Sequence, residues 1–381
     1  MNESENLVPK RRFKEFTNTG TWEQRELKEI LKVNSGRDYK HLGSGSIPVY
    51  GTGGYMLSVN DKLSDKDAIG IGRKGTIDKP QYLKAPFWTV DTLFFMIPLN
   101  NFDLQFLYTM TQKINWKKMD ESTGVPSLSK AVIEKVNQNI PSYQEQIKIG
   151  GFFKQLDNTI ALHQQKQRQI RSLKQGFIKN LFPNNKNSAP RIRFSIFNDD
   201  WNQRNASEIF TSVSDKNYPE LPVLSASQEK GMVLRESNGI DIKYDQKSTG
   251  TYKRVLPGQF VMHLRPFQGG FAYSTIEGIT SPAYTILAFR NKEDHYPLFW
   301  KSIFSSKNFI KRLEAITYGI RDGRSISYAD FSTLRFWIPS YEEQKQIGDF
   351  IESIDATIAF YQRQIDMMQS LKKELLNKMF I

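Results

Sequence analysis

IPSYQEQIKIGGFF, residues Ile140 to Phe153, returns 198 positions later as IPSYEEQKQIGDFI, residues Ile338 to Ile351. The correspondence continues through Leu156-Asp157-x-Thr159-Ile160-Ala161 against Ile354-Asp355-x-Thr357-Ile358-Ala359, and through Ser172-Leu173-Lys174 against Ser370-Leu371-Lys372; it ends at Phe182 against Phe380. A second echo opens each half. Pro9-Lys10-Arg11-Arg12-Phe13 with Trp22, Gln24 and Arg25 is answered by Pro190-Arg191-Ile192-Arg193-Phe194 with Trp201, Gln203 and Arg204. The chain is therefore a tandem duplication whose unit is a globular segment followed by a segment of about forty residues. Between the echoes the globular segments share little, as expected of one scaffold presenting two different surfaces.

The forty-residue segments read as long helices. Apolar residues fall at Ile149, Phe153, Leu156, Ile160, Ile170 and Phe177 in the first, and at Ile347, Ile351, Ile354, Ile358, Tyr361, Ile365, Met368 and Leu375 in the second. Steps of three and four sustained over that length describe a coiled-coil seam, on a rod roughly 60 Å long. His163 and Gln167 interrupt the first seam where the second has Tyr361 and Ile365. Residues 140–182 carry seven basic and two acidic side chains, residues 338–381 five basic and seven acidic. Opposite net charge favours pairing of the two rods with each other; docking of each rod on a separate protein stays open. Both rods begin with the same start signal. Ser142 or Ser340 stands at the N-cap, and Glu145 or Glu343 follows three residues on, the spacing of a capping box.

The globular segments have strand-and-loop composition: Ala68 to Gly72, Phe87 to Val90, Thr92 to Ile97, Gly258 to Met262 and Ala283 to Phe289 are short, aromatic or β-branched, and bounded by Gly and Pro. Helical patches span Phe102 to Lys113 and Pro297 to Leu313. The expectation is an α+β protein with an irregular sheet and long loops in each half. The domains follow from the repeat: 1–139 globular, 140–182 helix, 183–190 a polar linker rich in Asn and Pro, 191–337 globular, 338–381 helix.

Lys plus Arg outnumber Asp plus Glu by 53 to 40, a formal charge of +13 over 381 residues, which favours a polyanionic partner. With no cysteine, disulfides, thiolate catalysis and cysteine-ligated zinc are excluded. The first residues are polar, and no apolar run is long enough to span a membrane, so a cytoplasmic protein without membrane attachment is expected. His41, His163, His263 and His295 lack metal-ligand spacing, and no P-loop, nucleophile elbow or Asn-Pro-Pro or Asp-Pro-Pro methyltransferase motif occurs. Catalytic and metal-binding residues are accordingly expected to be none. Gly70-Ile71-Gly72-Arg73-Lys74-Gly75 matches a dinucleotide fingerprint, yet Thr76-Ile77-Asp78-Lys79-Pro80 cannot open the long helix which that site needs.

The remaining chemistry lies in loops that mix small, basic and aromatic residues, a combination suited to phosphates and base edges. They nominate Tyr50, Thr52, Arg73, Lys74, Thr76, Ser122, Thr123 and Ser127 in the first half for DNA contact. In the second half they nominate Arg265, Gln268, Tyr273, Tyr318, Arg321, Arg324 and Ser325.

Taken in order, Ile47-Pro48-Val49-Tyr50-Gly51, Ile71-Gly72-Arg73-Lys74-Gly75-Thr76-Ile77, Phe87-Trp88-x-x-Asp91-Thr92-Leu93-Phe94, Leu256-Pro257-Gly258-Gln259-Phe260-Val261 and Gly278-Ile279-Thr280-Ser281-Pro282-Ala283-Tyr284, with the two Pro-Ser-Tyr-x-Glu-Gln helix starts, resemble one family. The chain is similar over essentially its whole length to the specificity (S) subunit of type I restriction-modification systems. The resemblance implies two target-recognition domains separated by two long antiparallel helices. It also implies double-stranded DNA as ligand, each domain reading one half of a bipartite asymmetric target. Two methyltransferase (M) subunits would dock on the helices and restriction/translocase (R) subunits would join them. S-adenosylmethionine, ATP and Mg would belong to those partners, so no cofactor is expected on this chain, which would itself be non-catalytic.

Overall fold

The computed structural model describes residues 7–183, 188–227, 230–238, 246–263, 270–316 and 326–381. Two compact units divide the chain: residues 1–165 with 362–381, and residues 166–361. The linker at 183–190 lies partly outside the described residues.

In the first unit a four-stranded antiparallel sheet runs in the order Leu31–Ser35, Leu93–Pro98, Ala68–Gly72, Gln81–Leu83. Alternation along the strands divides the domain into two cores. Ile69, Ile71, Phe94 and Met96 face a core shared with the long helices, while Ala68, Leu93 and Phe95 face a second core with Val49, Val59 and Phe87. A further three-stranded sheet is formed by Gly54–Val59, Ser44–Gly51 and Trp88–Thr89.

The second unit repeats the plan with different loops. Its sheet order is Phe210–Val213, Thr285–Phe289, Phe260–Met262, Phe271–Tyr273. Phe260, Met262, Leu287 and Phe289 face the core next to the long helices, and Val261 and Ile286 face the opposite core. The shared strand order is the common scaffold expected from the repeated ends. The second helical patch is broken into Pro297–Phe304 and Lys307–Ile316, where the Ser306 hydroxyl caps the new helix by accepting from Phe309 N at 3.2 Å.

Each domain is entered and left through one antiparallel ribbon, Glu23–Glu26 with Asn137–Ile140 in the first unit and Asn202–Asn205 with Arg335–Ile338 in the second. Immediately after each ribbon a 39-residue helix begins, Tyr143–Leu181 and Tyr341–Met379. Ser142 Oγ and Ser340 Oγ accept from the N–H groups of Glu145 and Glu343 at 3.4 and 3.3 Å. The glutamates do not complete a capping box. Both oxygens of Glu145 take Arg12, from Nε and Nη2 at 2.6 Å each, and both oxygens of Glu343 take Arg193 at 2.8 and 2.7 Å. A bidentate charge-assisted pair outcompetes a single bond to a backbone N–H. The next residue also works in both places. Gln146 Oε1 accepts from Asp103 N at 3.0 Å and its Nε2 donates to Pro141 O at 2.9 Å, while Gln344 accepts from Tyr296 N at 3.0 Å and donates to Asp294 O and Pro339 O.

Within each unit the two long helices run antiparallel. In the first, Ile149 and Phe153 share a core with Leu375, Met379 and Phe380, and Asp157 pairs with Lys372 at 2.6 Å. In the second, Leu181 shares a core with Ile347 and Ile351, and Lys174 pairs with Asp355 at 2.5 Å. Of the remaining seam positions, Ile160, Ile358 and Ile365 are buried, and Leu156, Ile170, Phe177, Ile354, Tyr361 and Met368 are half-buried. Gln167 is buried and donates Nε2 to Ile358 O at 3.3 Å, so the polar interruption is accommodated by a hydrogen bond.

Candidate nucleic-acid interface

Three loops of the first unit meet at one place. The turn at residues 51–54 joins Ser44–Gly51 to Gly54–Val59, and Gly54 at φ 108° supplies the left-handed backbone it needs. Gln81 fixes that tip, donating Nε2 to Gly51 O at 2.9 Å and Thr52 O at 3.2 Å. Beside it, the segment after Ala68–Gly72 turns at Gly75, φ 89°, where the Thr52 hydroxyl lies 3.8 Å from the position a Cβ would occupy. No helix follows, so the glycine fingerprint is a hairpin turn and not a dinucleotide site.

The third loop is tied to the second through its backbone. Gly75 N donates to Pro126 O at 2.8 Å, Leu128 N to Arg73 O at 2.9 Å, and Lys74 forms a bridge with Ser127. Asp120 organises this loop by accepting from Ser127 N, Ser122 N and Ser122 Oγ at 2.9, 3.0 and 2.8 Å. These bonds, that from Ser127 N foremost, hold its carboxyl below the usual range.

The structure thus brings Thr52, Arg73, Lys74, Thr76, Ser122, Thr123 and Ser127 into one loop cluster, with Tyr50 at the strand end behind the turn. Arg73, Lys74 and Thr123 are exposed, and the others are half-buried. Among the described residues neither Arg73 nor Lys74 pairs with a carboxylate; the Arg73 guanidinium sits 5.9 Å from the Phe94 ring centroid. A groove of about 700 Å³ adjoins the hairpin tip and adds Asp38, Tyr39, Lys40, Tyr55 and Met56 to the surface. Gln81 and Asp120 are invisible to loop composition, because what they contribute is hydrogen bonds that fix the loops, Gln81 to a turn about thirty residues away and Asp120 within its own loop.

In the second unit, Arg265, Gln268, Tyr318, Arg321, Arg324 and Ser325 lie outside the described residues. Tyr273 is half-buried, its ring 5.3 Å from Phe260 and 5.9 Å from Lys301 Nζ, and burial raises its pKa. Strand alternation decides this placement, since Phe271 and Tyr273 share the face turned to the core of the long helices.

Among the described residues no cluster of His, Cys, Asp or Glu is arranged to hold a metal, and no helix is long and apolar enough to cross a membrane.

Residues 19–172 match the type I restriction modification DNA specificity domain. The specificity subunit of the type I restriction enzyme MjaVIII of Methanocaldococcus jannaschii is 22% identical over 298 residues, 72% of this chain and 68% of that protein. The fold is shared with the type I restriction-modification S subunit of M. genitalium, at a TM-score of 0.68 and 14% identity, over 98% of this chain and 99% of that one. A structure described as underlying complex assembly and conformational transition of the type I R-M system aligns at a TM-score of 0.50 and 14% identity, over 94% and 97% of the two chains. The domain match covers the first globular segment and most of the first long helix, and the shared fold extends over both halves of the chain. The chain is similar to type I restriction-modification specificity subunits.

Proposed function

We propose that this chain selects a bipartite, asymmetric DNA target, each globular domain reading one half-site, and that its long helices scaffold two methyltransferase subunits with restriction subunits joining them. The domain limits follow the repeat, at 1–139 and 191–337 for the readers and 140–182 and 338–381 for the helices. The observation that carries the reading is the first unit's loop cluster, where the exposed cations Arg73 and Lys74 stand over small polar residues on a rigidly tied turn. Arg73 and Lys74 suit phosphates or guanine edges, and the hydroxyls of Thr52, Ser122 and Ser127 suit phosphate oxygens or bases. Sequence choice is the whole contribution of the chain; the chemistry belongs to the partners, and the assembly works in the cytoplasm.

Methylation sequencing of DNA modified by this chain with its cognate methyltransferase tests the reading. The expected product is a single two-part motif. Arg73→Ala and Lys74→Ala should relax or weaken one half while leaving the other intact. An unaltered motif in both variants removes the cluster from the contact surface. DNA affinity that does not fall with salt would favour a protein-interaction scaffold instead.

A further inference from the structure

The two ribbons at the domain bases are the same piece of fold with different chemistry. In the first unit Glu23-Gln24-Arg25-Glu26 pairs with Asn137-Gln138-Asn139-Ile140; in the second Asn202-Gln203-Arg204-Asn205 pairs with Arg335-Phe336-Trp337-Ile338, in matching register. Glu23, Arg25 and Glu26 leave the first ribbon at −1, whereas Arg204 and Arg335 bring the second to +2. The amides at 138 and 139 are replaced by two aromatic rings.

Beside the second ribbon lies a groove of about 720 Å³ whose walls include Gln203, Lys311, Arg312, Arg335, Phe336 and Trp337. Among the described residues its lining carries three cations and no carboxylate. Arg312 is the telling residue. Its guanidinium lies 5.1 Å from the Phe336 ring centroid and donates Nη2 to Arg335 O, and it is half-buried. Arg12, Arg193 and Arg254 are half-buried as well, and each of them contacts a carboxylate. No described carboxylate pairs with Arg312, and burial lowers its pKa. A desolvated cation without a counter-charge is costly, and an anion entering the groove removes that cost.

We propose that this groove of the second unit is a phosphate-binding site for the DNA backbone, held by Arg312, Arg335 and Lys311 and without a counterpart in the first unit. The proposal rests on the DNA-binding reading above but concerns residues other than those nominated from loop composition. Three cations lining one groove suit the non-bridging oxygens of a phosphodiester, the Arg fork in particular. The volume accommodates a strand segment better than a lone ion. Phosphate contacts anchor without reading sequence, so the site adds affinity and not selectivity.

The test is a salt titration of duplex binding by the full chain, with Arg335→Asn, the residue of the first ribbon, and Lys311→Gln at an exposed position. Arg312→Gln is a third variant, and Arg335→Lys tests whether charge alone restores the effect. The logarithmic salt slope should become shallower by about 0.9 for each phosphate that a variant no longer neutralises. Target and non-target duplexes should weaken by the same factor, and Arg335→Lys should recover most of the slope. Wild-type slopes in Arg335→Asn and Lys311→Gln overturn the proposal. So does ATP or inorganic phosphate binding that is sensitive to the variants while duplex binding is not, which would assign the groove to a free phosphate compound. Impaired methyltransferase assembly with unchanged DNA affinity also overturns it, in favour of an acidic protein surface. If the wild-type chain shows no salt-dependent duplex binding, the DNA reading itself falls, a result distinct from insensitivity of the variants.

Discussion

Lys174 Nζ lies 2.5 Å from Asp355 Oδ1 between the two long helices of the second unit, and the residues 198 positions away, Lys372 and Asp157, repeat the pair at 2.6 Å in the first. Each unit therefore carries the same half-buried cross-helix pair, with the lysine supplied once by each helix. Antiparallel helices slipped by one turn would break both pairs, so together they select one register.

Reversing one charge, Lys174→Glu, should destabilise the second unit by roughly 0.5–1 kcal/mol, and adding Asp355→Lys should restore most of it. A double-mutant cycle at low and high salt measures the coupling. Additive effects at low salt would count against a role in register.

The Arg12–Glu145 pair is more deeply enclosed, with side chains only 7% and 0% exposed. Arg12→Met leaves a buried carboxylate alone and should cost about 3–5 kcal/mol, whereas Arg12→Met with Glu145→Leu should recover much of that stability. Calorimetry of the full chain measures both variants. A single variant as stable as the wild type would refute the assignment.

The helix glycines divide by what surrounds them. A Cβ at Gly150 would stand 2.5 Å from Asp103 Oδ1 and 2.6 Å from Phe106 N, and one at Gly348 would stand 2.8 Å from Phe299 N. Gly150→Ala and Gly348→Ala should each cost about 1–3 kcal/mol by forcing the neighbouring short helix away. At Gly151 and Gly176 nothing lies within 4 Å. There the change to Ala should raise stability by about 0.5–1 kcal/mol. Thermal melts of the four variants suffice, and equal shifts at all four would contradict the packing argument.

His295 is buried between Phe289 and Trp300, and burial pushes its imidazole down to about 4, with Arg204 adding to the shift and Asp294 opposing it. The unfolded chain takes up a proton near 6.5 that the folded second unit refuses until about 4. Stability should therefore be full above about 6.5 and fall by up to about 3 kcal/mol as pH drops toward 4. His295→Phe should flatten denaturant midpoints across that window; an unchanged pH dependence would mean that His295 does not govern it.

The duplication, the two long helices and their apolar seam are legible in the order of residues, because helix periodicity and repeated phrases are local properties. The pattern from Pro297 to Leu313 reads as one helix, because the break at Ser306 is a single capping hydroxyl in an otherwise helical stretch. Spacing alone puts Glu145 and Glu343 in capping boxes. Their actual partners lie 133 and 150 residues away, and no local rule anticipates a bond of that separation.

The same division holds for the candidate sites. Small and basic residues at 50–55, 73–76 and 122–127 stand out by composition, and that these loops touch one another follows only from backbone bonds such as Gly75 to Pro126. Tyr273 has the right chemistry, but the pleat of its strand turns it toward the core. The sequence alone determined that there are two units of one plan, since periodicity and repetition are written along the chain. Tertiary structure decided which charges are buried together, which loops share a surface, and that the half-buried Arg312 meets no described carboxylate, because those depend on distances between residues far apart in the chain.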